Sequence, residues 1–428
     1  MTLRESARSI FDAALAAGDV RPLVTQVLAG IDKPARGRVL VVGAGKASGA
    51  MAAAVEEAWG DAIADGVVAV KDGYTVPTRR IRLLEAGHPV PDERGAAAAR
   101  AIHALAGSAG AEDLVLVLVS GGGSALTPAP VPPITLGDKQ AMTRLLLAAG
   151  ATINQLNVIR KHASLLKGGQ LARAASPARV EALLLSDVVG DPLDVIASGP
   201  TTPDVSTFAE ALDILDHFNL RERAPRSIVH RLEQGARGEL PETPKPGDPL
   251  FAGVRNSVIG NNALVVNAAA ARARELGFTP HVLTRALEGE ARDVAGRFVE
   301  LARAIRAGRG PVRAPACVIA GGETTVTIRG RGKGGRCQEF ALTAALAMDG
   351  LDDVVTLAAG TDGSDGPTEA AGALVDPESV ARARVRGFDP EAGLAENDSN
   401  TVLGGAGDLV VTGPTNTNLL DLYMVLVH

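Results

Sequence analysis

Four short stretches of this chain carry residue types that could do chemistry on an anion. Lys46 sits in Gly43-Ala44-Gly45-Lys46-Ala47-Ser48-Gly49, between the apolar run Arg38 to Val42 and an Ala-rich segment reaching Trp59. An ammonium placed there lies beside the unbonded N–H groups that open a helix, and both attract negative charge. A phosphate or carboxylate partner is the expectation for Lys46, with Gly45 letting the backbone approach it. In the second stretch, Leu114 to Leu126, six apolar residues run into Ser120, Gly121, Gly122, Gly123 and Ser124. With almost no side-chain bulk, successive amides can converge on phosphate oxygens. A tight turn that needs glycine only for steric reasons is the competing reading. No Gly-Lys-Ser/Thr follows, so this is not a Walker A loop.

The third stretch opens after the apolar run Val180 to Leu185, with Asp187, Asp191 and Asp194 inside nine residues. Asp187 and Asp191 could hold Mg²⁺ through one or two carboxylates, or one could accept a proton from a hydroxyl. Asp194 reads as an Asx-turn or helix cap. The fourth is a set of glycine-rich turns near the C-terminus: Gly321 to Thr324 with Glu323, Gly330 to Arg336, and Gly360 to Gly366 with Thr361, Asp362 and Asp365. Arg336 comes just before a helical segment, where its planar fork could grip a carboxylate or phosphate at two points. His88, in Gly87-His88-Pro89-Val90-Pro91-Asp92, is either an acid–base group or a loop histidine fixed between rigid turns.

The elements that must position these groups alternate as strand and helix. Runs of four to eight apolar residues ending in glycine turns, each followed by an Ala-rich helical stretch, predict parallel strands with helices on both faces. A helix is expected over Asn154 to Leu171, with Arg160, Lys161, His162 and Lys167 as a basic face that is either solvated or faces an anionic substrate. Four prolines between Glu233 and Pro249 mark a linker. Two domains are therefore expected, 1–240 and 250–428, with the first helix able to pack on either and the strand at Val254 to Ile259 opening the second.

Composition excludes other classes. The chain has 428 residues, 46% apolar and 21% charged, enough for two cores. A net charge of −6 and an aromatic share of 3% argue against nucleic acid, whose phosphates and bases need cations and stacking rings. Two cysteines, Cys317 and Cys337, are too few for a disulfide framework and lack zinc spacing. No stretch approaches the roughly 18 apolar residues of a membrane span, and the N-terminus lacks a signal-peptide core. A cytoplasmic enzyme is expected, and a homodimer is compatible with the sequence. The Gly43 turn departs from the dinucleotide fingerprint: its third glycine is one place late, and the strand Val67 to Val70 ends in Lys71-Asp72.

Taken together, GAGKAS (43–48), GHPVPD (87–92), SGGGSAL (120–126), SDVVGDPLDVIASGPT (186–201), GGETTV (321–326), GKGGRCQEFAL (332–342), GTDGSDGPTEAAGALVD (360–376) and TGPTNTNLLDLY (412–423) closely resemble the class II glycerate kinases, the glycerate 2-kinase family with a C-terminal MOFRL domain. Two positions depart from that pattern: Cys337 stands where the family usually has Asn, and Asn416 where Gly is common. The resemblance implies two doubly wound, Rossmann-like α/β domains with an active site in the cleft between them and closure on binding. It also implies ATP and Mg²⁺, D-glycerate phosphorylated on its 2-hydroxyl, and the catalytic lysine and arginine at Lys46 and Arg336. ATP phosphates are then expected at Ser120 to Ser124, Mg²⁺ at Asp187 and Asp191, and the glycerate carboxylate near Arg336. Family members are often labelled hydroxypyruvate reductases. That NAD(P)H-dependent activity is the alternative, and a non-catalytic sugar-acid sensor is a further one that finds no spare segment for a partner module.

Overall fold

The structure is a computed structural model describing residues 1–428. The first sheet contains β1 (Val39–Ala44), β2 (Ile63–Lys71), β3 (Ile81–Ala86), β4 (Leu114–Val119), β5 (Arg179–Leu185) and β6 (Val254–Gly260), in the spatial order β3-β2-β1-β4-β5-β6. Strands β1 to β5 pair parallel. Every residue of β1 and β4 is buried, as expected of central strands covered on both faces. From β1 the chain winds one way to β2 and β3, and from β4 the other way to β5. The order therefore reverses between β1 and β4, and in open α/β sheets ligands bind outside the carboxyl ends of strands at such a switch point. Ala44 pairs with Val119, and Val119 with Leu184, so the Lys46 turn, the Ser120 turn and the Asp187 loop leave three adjacent strands along one edge.

The second sheet contains β7 (Thr279–Leu287), β8 (Ala316–Gly322), β9 (Val354–Gly360), β10 (Gly372–Val375), β11 (Leu409–Val410) and β12 (Asp421–Val427), in the order β11-β10-β9-β12-β8-β7. Strands β7 and β8 are parallel, but β12 inserts antiparallel between β8 and β9, so this sheet is mixed.

The chain divides into two units, Val20–Ile259 and Met1–Asp19 with Gly260–His428. Strand β6 completes the first sheet instead of opening the second unit, and the helix Leu3–Ala17 packs on the helix Asn262–Glu275, with Arg4 paired to Asp376 and Asp408. The Pro-rich stretch is no free tether. Glu242 accepts from His162, Thr243 donates to Asp204, and Lys245 donates to Ser206, which fastens it to the first unit. The helix expected over Asn154 to Leu171 is broken into Ile153–His162, which ends at Ala163, and Gln170–Ala175, which Gly168 and Gly169 precede with positive φ.

Candidate active site

In the unit formed by Val20–Ile259, the two glycine turns are locked to each other. Gly45 passes so close to Ser120 that a Cβ there would lie 2.0 Å from the Ser120 Oγ, so only glycine fits. The Lys46 amide donates to the Gly121 carbonyl (2.9 Å), the Ala47 amide donates to Ser120 Oγ (2.9 Å), and the Ser48 and Ser120 hydroxyls are 3.0 Å apart. Ser120 is fully buried. Its hydroxyl therefore joins the turns, and what this loop turns outward is Gly122 and Ser124. Gly122 has φ +83°, and a Cβ on it would stand 2.9 Å from His88 Nε2 and 3.6 Å from Lys46 Cγ. Three loops that are far apart in sequence thus bring Lys46, His88 and Gly122 to one place. The amides of Gly121 and Gly122 enter none of the turn's hydrogen bonds.

Residues from three other segments support this loop from behind. Ser124 Oγ lies 3.0 Å from Ser198 Oγ, which donates to Asn157 (3.1 Å), and Lys167 Nζ donates to the Ser124 carbonyl (2.9 Å). Ala197 and Ser198 both have positive φ, at 49° and 63°, a costly conformation of the kind that concentrates at functional sites. Nothing local in the sequence signals which way Ser198 faces. Of the expected basic face, Lys161, His162 and Lys167 are buried; Lys161 meets Asp204 (3.2 Å) and Asp194 (3.4 Å), so Asp194 is an ion-pair partner and caps no helix.

Asp187 and Asp191 are half-buried in the loop that leaves β5, and Asp191 sits at φ +54°. No group of three or more His, Cys, Asp or Glu side chains that could hold a metal ion occurs in the chain. Two hard carboxylates on one short loop nevertheless fit Mg²⁺, which takes one or two protein oxygens and completes its shell with phosphate and water.

In the other unit, Arg336 opens the helix Arg336–Ala347, and its fork is already engaged. Its Nε and Nη2 donate to Asp421 (2.6 and 2.8 Å), and Nη1 meets Glu323 (2.9 Å). The two-point grip expected of this fork is made within the protein: one edge of the guanidinium holds a fully buried carboxylate, and the other end meets Glu323. Burial works to lower the Arg336 pKa, but the Asp421 charge and hydrogen bonds outweigh it and hold the pKa well above its ordinary value. Tyr423 donates to the same Asp421 (2.8 Å) and meets Thr324 (2.9 Å). The helix N-terminus is capped by Asp365, which accepts from the Cys337 amide (3.2 Å) and the Gln338 amide (2.9 Å). Burial, then the Asp421 charge, pushes Asp365 up to about 7 against those bonds.

Thr361 is likewise committed internally, donating to the Leu420 carbonyl (2.7 Å) and accepting from the Leu419 amide (2.8 Å). Asp362 accepts from the Ser364 amide (2.9 Å) and is mostly buried. Cys337 is buried with its sulfur 4.0 Å from the Tyr423 hydroxyl. Asn416 adopts φ +57°, a conformation that suits glycine and that asparagine tolerates better than most residues.

A domain of unknown function, DUF4147, matches residues 6–233, and the MOFRL family matches residues 316–421. A D-glycerate 2-kinase of Thermotoga maritima is 42% identical over 392 residues, covering 91% of each chain. The chain belongs to the glycerate kinase family. A crystal structure of glycerate kinase from the same organism superimposes with a TM-score of 0.89 at 39% identity, covering all of this chain and 99% of the other. Another member of similar length, from Agrobacterium vitis, is 45% identical over 429 residues, covering 100% of this chain and 95% of its own, and bears the name hydroxypyruvate reductase. Within the glycerate kinase family, that name is a mislabel.

Proposed function

We propose that the protein phosphorylates D-glycerate on its 2-hydroxyl with ATP, giving 2-phosphoglycerate and ADP. The observation that carries this reading is the convergence of Lys46, His88 and Gly122 at the switch point of a parallel sheet, in a chain about 40% identical to glycerate kinases. Phosphoryl transfer asks the protein mainly for positioning and charge neutralisation. Lys46 and the Gly122–Ser124 turn bind the transferring phosphoryl oxygens. The glycerate O2 forms the new bond to the γ-phosphorus, and the electron pair of the breaking P–O bond stays on ADP. Asp187 accepts the hydroxyl proton, and Asp187 with Asp191 would hold Mg²⁺. When bound, Mg²⁺ offsets negative charge on the phosphate oxygens. Arg336, stiffened by Asp421, presents its outward end to the glycerate carboxylate.

A reductase would need an acid at the carboxyl end of β2 to bind the nicotinamide ribose. Asp72 is the residue there, and Arg94 occupies both of its oxygens (2.6 and 2.8 Å). Phosphorus NMR of purified protein with ATP, Mg²⁺ and D-glycerate tests the assignment: the phosphomonoester of 2-phosphoglycerate is expected. Oxidation of NADH by hydroxypyruvate, without phosphoester formation, would overturn it.

A further inference from the structure

The unit formed by Val20–Ile259 contains a cavity of about 550 Å³ that opens beside the Gly122 turn. One wall is apolar, built from Met142, Leu146 and Leu147, from Leu156 and Ile159 of the following helix, and from Ile228. Two of the large apolar side chains that the chain leaves exposed, Val90 (66%) and Leu147 (58%), stand among the lining residues. The opposite character comes from Lys139, Arg144, Arg160 and Lys167, with His88, Gly122 and Ser124 where the cavity meets the glycine turn. No aspartate or glutamate lines it.

The absence of acids separates these cations from ordinary buried charges, which are paired. Lys139 Nζ donates to the carbonyls of Pro128 and Ala163, and Lys167 Nζ to those of Ser124 and Thr127. Carbonyl dipoles satisfy the N–H groups but carry no compensating charge. Arg160 is half-buried with neither an ion pair nor a hydrogen bond, and a guanidinium does not shed its proton. Burial, reinforced by Arg160, pushes Lys139 down to about 7, and burial with both neighbouring cations pushes Lys167 well below its ordinary value. The cavity is therefore short of negative charge, and its volume lies within the range for drug-sized ligands.

We propose that this cavity is the nucleotide pocket: the nucleoside lies against the Leu146–Leu156–Ile228 wall and the phosphates run past Arg160 to the Gly122–Ser124 turn. The inference rests on the kinase reading for the identity of the ligand. It adds the location of the base, the residues that hold it, and a role for three cations that the transfer step leaves unused. A ligand with both an apolar body and a multiply charged tail is what a half-apolar, half-cationic cavity selects, whereas glycerate has no apolar body to offer the wall.

The test uses the full-length protein and the fluorescent nucleotide mant-ADP. Wild type should bind it, and an indole placed at the rim by Leu147→Trp should transfer energy to the bound fluorophore. Leu156→Trp, which fills the cavity, and Arg160→Met, which removes the unpaired cation, should each weaken mant-ADP binding at least tenfold. Each should raise the ATP KM in proportion while the glycerate KM stays within twofold. Should Leu156→Trp fail to fold, Arg160→Met at the cavity wall still decides. Wild-type affinity in both variants, in a protein that does make phosphoglycerate, would overturn the pocket and leave the kinase reading intact. Pocket-dependent mant-ADP binding without phosphoglycerate formation would do the reverse. No binding of mant-ADP by the wild type overturns the pocket outright.

Discussion

The two units handle positive charge in opposite ways. Around Lys139, Arg160 and Lys167 the protein buries cations against carbonyls and apolar side chains and supplies no acid. Around Arg336 it supplies acids in excess: Asp421 fills one edge of the guanidinium, Glu323 meets the end, and Asp365 caps the helix that Arg336 begins. The first arrangement is unbalanced without an anionic ligand and suits binding. The second is balanced beforehand, and its guanidinium is fixed in direction, which suits a group that must meet a small substrate at a defined angle. A cation in a glycine-rich turn therefore carries little meaning until its acids are counted.

The sharpest way to break the comparison is to remove the cations that we place on reacting groups. Lys46→Ala and Arg336→Ala should each lower kcat/KM by roughly a hundredfold or more, the usual scale for a lost transition-state contact. Steady-state kinetics with near-normal values in either variant would take that residue out of the mechanism. Asp421→Asn separates fixing a guanidinium from binding with it. The variant leaves Arg336 with its charge but without its buried counter-ion, and breaking a buried pair costs about 3–5 kcal/mol. Chemical denaturation should register a loss of that order, and kcat should fall more than the ATP KM rises.

Asp187→Asn keeps the shape of the loop but neither accepts a proton nor holds Mg²⁺ well. Turnover should drop about a hundredfold or more, the order expected for losing a general base, with an unchanged melting temperature. Wild-type Mg²⁺ dependence and turnover in this variant would sink both assigned roles. The smallest effect sharpens the comparison through pH. Lys139 titrates at about 7 in the fold and near 10.5 when unfolded, so between those values the unfolded chain holds the extra proton. Stability should therefore rise with pH across that window, and Lys139→Met should flatten the rise, as read from denaturation midpoints at pH 7 and pH 10.

Much of the first unit was readable from sequence because its signals are local. An apolar run that ends in glycines announces a buried strand and a turn, and the three loops that leave β1, β4 and β5 fell where their runs ended. The character of Arg336 was not readable. Its partner Asp421 lies 85 residues away, and the two meet only because β12 inserts antiparallel beside β8. The direction of the basic run from Arg160 to Lys167 was not readable for a related reason. The pattern gives the charge but not the direction, and the helix ends at His162, leaving Lys167 outside it. The strand at Val254 was given to the wrong sheet because a proline-rich stretch looks the same whether it tethers two bodies or lies along one.

The placement of the first helix bears on how the chain is made. Ile10, Phe11 and Ala14 of Leu3–Ala17 are fully buried, and the helix packs on Asn262–Glu275, with Arg4 reaching Asp376 and Asp408. The ribosome delivers that helix before those partners, with all of Val20–Ile259 in between. The middle unit can complete its sheet while synthesis continues, whereas the flanking unit must wait with an apolar helix uncovered and then close a contact of very long sequence separation. The connectivity thus lets the half with the cation-rich cavity fold first, while the half that fixes Arg336 closes around an element made some 240 residues earlier.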